Sequence, residues 1–127
     1  MYATLKNIAK SFIPSGLLYA IEPKLRTLVA LQYKGEQHSC PVCEAHLSTF
    51  IPLRVDHLCP KCGSIERKRL LWLFLQKEVL GAKSITMLDF SPNRYLAQAL
   101  KKVLGNNYIS SDFGSPHFDQ RYDICAV

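Results

Sequence analysis

Apolar positions along this chain change period several times, and each change marks an element. Over residues 1–35 they recur at helical spacing, with Leu25, Leu28, Val29 and Leu31 on one repeat and Lys6, Lys10, Lys24 and Arg26 marking the polar side. Pro14-Ser15-Gly16 and Glu22-Pro23 are expected to interrupt this helical segment, and Gly35 to end it. Such a segment either packs on the rest of the protein, the commoner outcome, or lies on a membrane surface. From about Gln37 to Gly63 helical periodicity is lost, and a loose alternation from His46 to Val55, containing Phe50 and Ile51, predicts short strands. The run Leu70-Leu71-Trp72-Leu73-Phe74-Leu75 is apolar on every side, which predicts a helix buried on more than one face. It should start at Ser64 as N-cap, carry Glu66 at the positive end of its dipole, and stop at Gly81 after about Leu80.

The last third has the pattern of a βαβ unit. Residues Ser84–Phe90 predict a strand; Ser91 is a candidate N-cap with Pro92 at the first helical position. Tyr95, Leu96, Ala99, Leu100, Val103 and Leu104 form an apolar stripe that Gly105 closes, and Asn107–Ser111 predict a second strand. These lengths imply a right-handed crossover and parallel pairing. Arg121–Val127 predict a third strand, reached by a loop over 112–120.

Two Cys-x-x-Cys pairs, Cys40/Cys43 and Cys59/Cys62, lie fifteen residues apart, inside the spacing of a four-thiolate zinc site. Each pair delivers two sulfurs to one side of a metal, and two facing pairs close a tetrahedral shell about 2.3 Å from the ion. Gly63 suits the left-handed conformation such a knuckle needs, whereas Glu44 holds the matching place in the first knuckle and makes it less ideal. His38, His46 and His57 lie near enough to be alternative ligands, although four thiolates already fill the shell. A closed site of this kind holds the fold and does no chemistry. Disulfides and a redox pair are the competing explanations. The N-terminus is a poor secretory signal, since Lys10 and Pro14 interrupt it and Glu22 follows, and two pairs at ribbon spacing fit a single exposed redox pair less well. Five cysteines in that context read as cytoplasmic thiols and metal ligands, with Cys125 a small core residue.

Net charge is +6 before metal binding, and a zinc tetrathiolate would lower it by about 2. The densest basic patch is Lys61, Arg67, Lys68 and Arg69, broken by Glu66, with no aromatic platform beside it. Nucleic acid is therefore a possible partner but not the favoured one; the solvated first turn of a helix explains the patch as well. No run of eighteen apolar residues exists to span a membrane.

Parallel sheets bind ligands outside the carboxyl ends of their strands, where Asp89, Asp112 and Asp123 are expected. An acid after the second strand is placed to accept ribose hydroxyls, and the helix start at Ser91–Asn93 offers free amides. The turn Phe90-Ser91-Pro92-Asn93 lacks glycines, which argues against NAD or FAD. The alternative is that these acids only cap and solubilise strand ends.

The segments LQYKGEQHSCPVC, CPKCGSIERKRLLWLFL, MLDFSPN, YISSDF and YDI, in that order, resemble a group of bacterial class I S-adenosylmethionine-dependent methyltransferases that carry a zinc ribbon before the catalytic Rossmann-like domain. The resemblance runs from about Leu28 to Ile124, and CPKCGSIERKRLLWLFL is its most specific part. It implies that Asp89 organises the first cofactor loop, Asp112 grips the ribose and Asp123 lies near the adenine. Ser91 and Asn93 stand where that loop more often has Ala and Glu. The implied fold class is α/β: an N-terminal helical segment (1–36), a four-cysteine zinc ribbon (37–63), and a linking helix with a partial Rossmann-like sheet of about three parallel strands (64–127). The implied cofactors are structural zinc and S-adenosylmethionine, with no residue pattern selecting a methyl acceptor. Methyltransferases of this class have more strands, so the chain reads as a truncated form with little activity of its own. Its first strand would be an open apolar edge suited to self-association. The rival function is a zinc-ribbon binding module for nucleic acid or a protein partner, without catalysis.

Overall fold

The computed structural model describes residues 4, 7–8, 11–81 and 84–126. After helical residues at 4, 7–8 and 11–12 come helix α1 (Ser15–Gln32) and strands β1 (Lys34–Ser39), β2 (His46–Leu47), β3 (Ile51–Pro52) and β4 (His57–Leu58). Helix α2 (Glu66–Phe74) then runs into a π-helical turn (Leu75–Val79), followed by strand β5 (Met87–Phe90), helix α3 (Arg94–Leu104), a 3-10 turn (Gly105–Asn107) and strand β6 (Tyr108–Ser111). The strands form three pairs: β1–β2 and β3–β4 antiparallel, β5–β6 parallel. The fold is thus a mixed helix-and-strand arrangement around a cysteine cluster.

Helix α1 runs straight through Pro23, where an interruption was expected. Proline has no N–H, so the carbonyl of Tyr19, four residues earlier, loses its helical donor. Arg94 supplies one: its Nη1 donates to Tyr19 O at 2.5 Å. The same guanidinium lies 3.9 Å over the Tyr19 ring, and His117 stacks on that ring at 3.8 Å. The Thr27 hydroxyl donates to Pro23 O at 2.8 Å. Pro23 therefore leaves open an acceptor through which the start of α3 docks on α1.

Helix α2 starts one residue later than expected, with Ile65 in place of Ser64 as its N-cap and no side-chain cap. Ser64 does not cap because its side chain is fully buried against the cysteine sulfurs. Nor is α2 buried on several faces: only Trp72 and Arg69 are, while Leu70, Leu71, Leu73 and Phe74 are exposed. Helix α3 starts at Arg94, and its N-cap is Asn93, whose Oδ1 accepts from the amides of Tyr95 (3.0 Å) and Leu96 (3.3 Å). Ser91 instead sits at φ 48°, with its N–H on Ser111 O at 2.7 Å.

The expected third strand over 121–127 is not formed among the described residues. The outer edge of β6 is taken earlier in the chain: Gln120 forms a parallel bridge with Ser111, donating to Ser110 O at 3.0 Å and accepting from Asp112 N–H at 3.2 Å. Asp119 Oδ2 accepts the Ser110 N–H and hydroxyl at 3.0 and 2.9 Å. With that edge filled, residues 121–126 are exposed, and Cys125 is exposed rather than in the core. Strand β5 pairs only with β6 among the described residues, and its Leu88 and Phe90 are exposed, as expected of an open first strand.

One core cluster joins Cys40, Cys59 and Cys62 to Leu47, Trp72, Leu96, Leu100 and Tyr108. The cysteine ribbon and the βαβ unit thus share their interior. The chain exposes 8954 Å² where a compact monomer of this length would expose roughly 6,800 Å².

Arg94→Met should lower stability by about 2 kcal/mol, the scale of one charged hydrogen bond plus a ring contact. Pro23→Ala restores the helical donor to Tyr19 O, so in that background the same substitution should cost about 1 kcal/mol less. Urea unfolding of the four-member cycle checks this; equal costs in both backgrounds would refute the docking role of Pro23.

Candidate metal centre

Each Cys-x-x-Cys pair folds into the same turn. In the first, Cys40 N–H donates to Ala45 O at 3.0 Å and Glu44 N–H to Cys40 O at 2.8 Å. In the second, Cys59 N–H donates to Ser64 O at 2.8 Å and Gly63 N–H to Cys59 O at 2.8 Å. Both turns need a left-handed residue at the fourth position after the first cysteine. Gly63 supplies it at φ 69°, and Glu44 at φ 58°, a conformation that an L-residue adopts at a cost of about 1 kcal/mol.

The two turns face each other. Cys40 Sγ lies 3.7 Å from Cys62 Sγ, and Cys43 Sγ 3.7 Å from Cys59 Sγ. All four ligand atoms fall within 4.8 Å of one another. A tetrahedral ion with sulfurs at 2.3 Å requires edges of about 3.8 Å, whereas a disulfide requires about 2.0 Å. The cysteines are free, and their spacing fits a four-thiolate metal such as zinc. Cys40, Cys59 and Cys62 are buried and Cys43 half-buried, so no side of the cluster opens widely to substrate.

Neighbouring groups suit negative sulfur. Ser64 Oγ lies 3.1 Å from Cys62 Sγ and 3.4 Å from Cys40 Sγ, and its single proton can be donated to either as thiolate. The Arg26 guanidinium covers Gly63 so closely that an added Cβ would stand 2.8 Å from its Cζ. Arg26 Nε also donates to Glu22 Oε1 at 2.8 Å, which fixes the guanidinium beside the second knuckle. Close contact between the sulfurs pulls the thiols' proton affinities apart. Hydrogen bonds from Cys43, Cys59 and Cys62 hold Cys40 far below a thiol's ordinary range, and the contact with Cys40 pushes Cys43 far above it. A divalent cation removes this competition by binding all four as thiolates.

The three nearby histidines lie outside the cluster. His57 Nδ1 pairs with Glu66 Oε1 at 2.5 Å, His46 Nδ1 with Glu36 Oε2 at 3.2 Å, and His38 tilts against Phe50. Glu66 Oε2 also accepts the His57 backbone N–H, the main reason its carboxyl falls to about 2. The basic patch divides: Arg69 is committed within the fold, whereas Lys61 and Arg67 are exposed. Arg69 is buried, donating to Ser64 O at 2.6 Å and His57 O at 3.1 Å and stacking on Phe50. Arg67 lies 3.7 Å from Asp56.

The acids expected to bind cofactor each hold a local bond of their own. Asp89 is half-buried in β5 and accepts from Tyr108 OH at 3.1 Å; burial raises its pKa against that hydrogen bond. Asp112 directly follows β6 and turns the chain by accepting Gly114 N–H at 2.8 Å. Asp123 sits in an exposed turn, accepting Cys125 N–H at 2.8 Å. Ser91 and Asn93 shape the β5–α3 turn as described above. Asp119, unnoticed in the sequence, is the acid that pins β6. Its bond to Lys101 Nζ at 2.8 Å, with those to Ser110, lowers its pKa to about 2. Nothing in periodicity or spacing marks it, because its partners lie on α3 and β6. Past β6 lies an open depression of about 440 Å³, lined by Phe113, Phe118, Asp119 and Arg121 among others. No protein-family model matches the chain, and no curated protein or solved structure matches it either.

Glu44→Gly should raise stability by about 1 kcal/mol by relieving the left-handed backbone, while Gly63→Ala should lower it by more than about 2 kcal/mol through strain and collision with Arg26. Thermal unfolding of the zinc-loaded proteins checks both; a destabilising Glu44→Gly would contradict the equivalence of the two knuckles.

Proposed function

We propose that the chain is a structural-zinc, S-adenosylmethionine-dependent methyltransferase polypeptide in which Cys40, Cys43, Cys59 and Cys62 hold the ion. The observation that carries the cofactor part is the parallel β5–α3–β6 unit with Asp89 near the carboxyl end of β5 and Asp112 directly after β6. Parallel sheets offer ligands that end of their strands. An open depression on the loop that follows Asp112 is lined by Phe113, Phe118 and Arg121 among others, but by none of the assigned acids. It offers aromatic and polar side chains of the kind that line nucleoside sites. The order of motifs from the ribbon to YDI supports the same reading by resemblance.

In this reading Asp112 accepts the ribose hydroxyls and Asp89, held by Tyr108, organises the first loop. Asp123 is assigned to the adenine side. The zinc supplies rigidity only. Chemistry is in-line transfer: a nucleophile's lone pair forms a bond to the methyl carbon as the bond to the sulfonium sulfur breaks, leaving S-adenosylhomocysteine. The protein's contribution is positioning.

Binding rather than turnover is the appropriate readout. Titration calorimetry with S-adenosylhomocysteine should show saturable heat, and Asp112→Ala should weaken binding by at least about tenfold, the loss of a charged hydrogen-bond acceptor. No heat, or an unchanged affinity in Asp112→Ala, would overturn the assignment.

A further inference from the structure

Helix α1 is sided in an unusual sense. Its inward face carries Tyr19, Glu22 and Arg26, the last buried against the second knuckle. Its outward face carries Leu17, Leu25, Leu28 and Leu31, exposed by 53, 49, 62 and 63%. At 100° per residue these four leucines span an arc of about 120°. An apolar arc of this width needs cover, and among the described residues nothing covers it.

Charge selects what covers it. Residues 1–35 contain five basic side chains and one acid, Glu22. That acid is turned inward and tied to Arg26 at 2.8 Å. The helix's outward face itself carries no acid, and exposed Lys24 lies within the leucine arc. Beyond the helix end, exposed Glu36 and Glu44 border Leu31 together with exposed Lys34 and Lys61, so the cationic character is concentrated at Lys24. A second copy is a poor occupant. Lys24 lies at the midpoint of Ser15–Gln32, so a two-fold pairing of α1 helices that covers all four leucines, parallel or centred antiparallel, would set it against its own copy. An anionic lipid surface satisfies both features: leucines enter the acyl boundary while lysine stems extend their ammonium groups to the headgroups. No helix among the described residues is long and apolar enough to cross a membrane, so α1 would lie in the interface.

We propose that the Leu17–Leu25–Leu28–Leu31 face of α1 docks the protein on anionic lipid bilayers, with Lys24 at the centre of the contact. The binding is reversible, as befits one helix without a lipid anchor. It is independent of methyl transfer.

Sedimentation of the zinc-loaded full chain with phosphatidylcholine vesicles containing about 30% phosphatidylserine tests this. The protein should co-sediment, and far less so with pure phosphatidylcholine or in high salt. Leu28→Gln/Leu31→Gln should weaken binding at least roughly tenfold, and Lys24→Glu roughly fivefold or more. Both variants alter exposed side chains, so retained zinc and an unchanged circular dichroism spectrum confirm the fold. Absence of binding at millimolar lipid, or binding unaffected by Leu28→Gln/Leu31→Gln, would overturn the proposal. So would a dimer that the same double substitution dissolves, since a second copy would then cover the face.

Discussion

Four sulfur atoms within 4.8 Å of one another, two of the pairs 3.7 Å apart, constrain the turns that carry them. Two short turns must face each other across those sulfurs, and each must pass through a left-handed residue to bring its second sulfur round. The antiparallel pairs β1–β2 and β3–β4 that feed the turns are too short to be stable alone; β2, β3 and β4 have two residues each. Their stability must come from what joins the tips. Three of the four cysteines are also members of the core that contains Trp72, Leu100 and Tyr108. The ligand cluster is therefore the interior of the molecule as well as the clasp of the ribbon.

Two arginines extend this centre outward. Arg26 brings α1 onto the second knuckle by lying flat where Gly63 has no side chain. Arg94 brings α3 onto the same helix by filling the carbonyl that Pro23 leaves open. Arg69 does a related task inside the ribbon, tying α2 to the carbonyls of Ser64 and His57. Much of the chain's positive charge near the metal centre thus acts within the fold. Seen as sequence, these residues look like solvated helix faces or an interaction patch.

The cysteine cluster was legible because spacing and ligand type suffice to bring it together, and the order of elements followed from apolar period and glycine placement. What failed did so where a distant partner overrode a local preference. Ser64 is a good cap by local rules, but its hydroxyl faces the sulfurs. Pro23 should break a helix, but Arg94 repairs the lost bond. The segment after Gln120 has strand character, but Asp119 and Gln120 already occupy the edge of β6. The run from Leu70 to Leu75 was expected to be enclosed, yet only Trp72 among its first five residues is buried. The cofactor acids were legible as strand-end groups, and their individual bonds were not.

The arrangement places a four-cysteine cluster fit to hold a metal before a small parallel β-unit, with apolar surface left on α1, α2 and β5. The account rests on the ion that the cysteines are shaped to receive. Metal analysis of protein purified without chelators, followed by titration with a zinc chelator under circular dichroism, tests it directly. The account predicts one zinc per chain and loss of ordered structure as the metal leaves. Metal-free protein with an unchanged fold and four titratable thiols would contradict it.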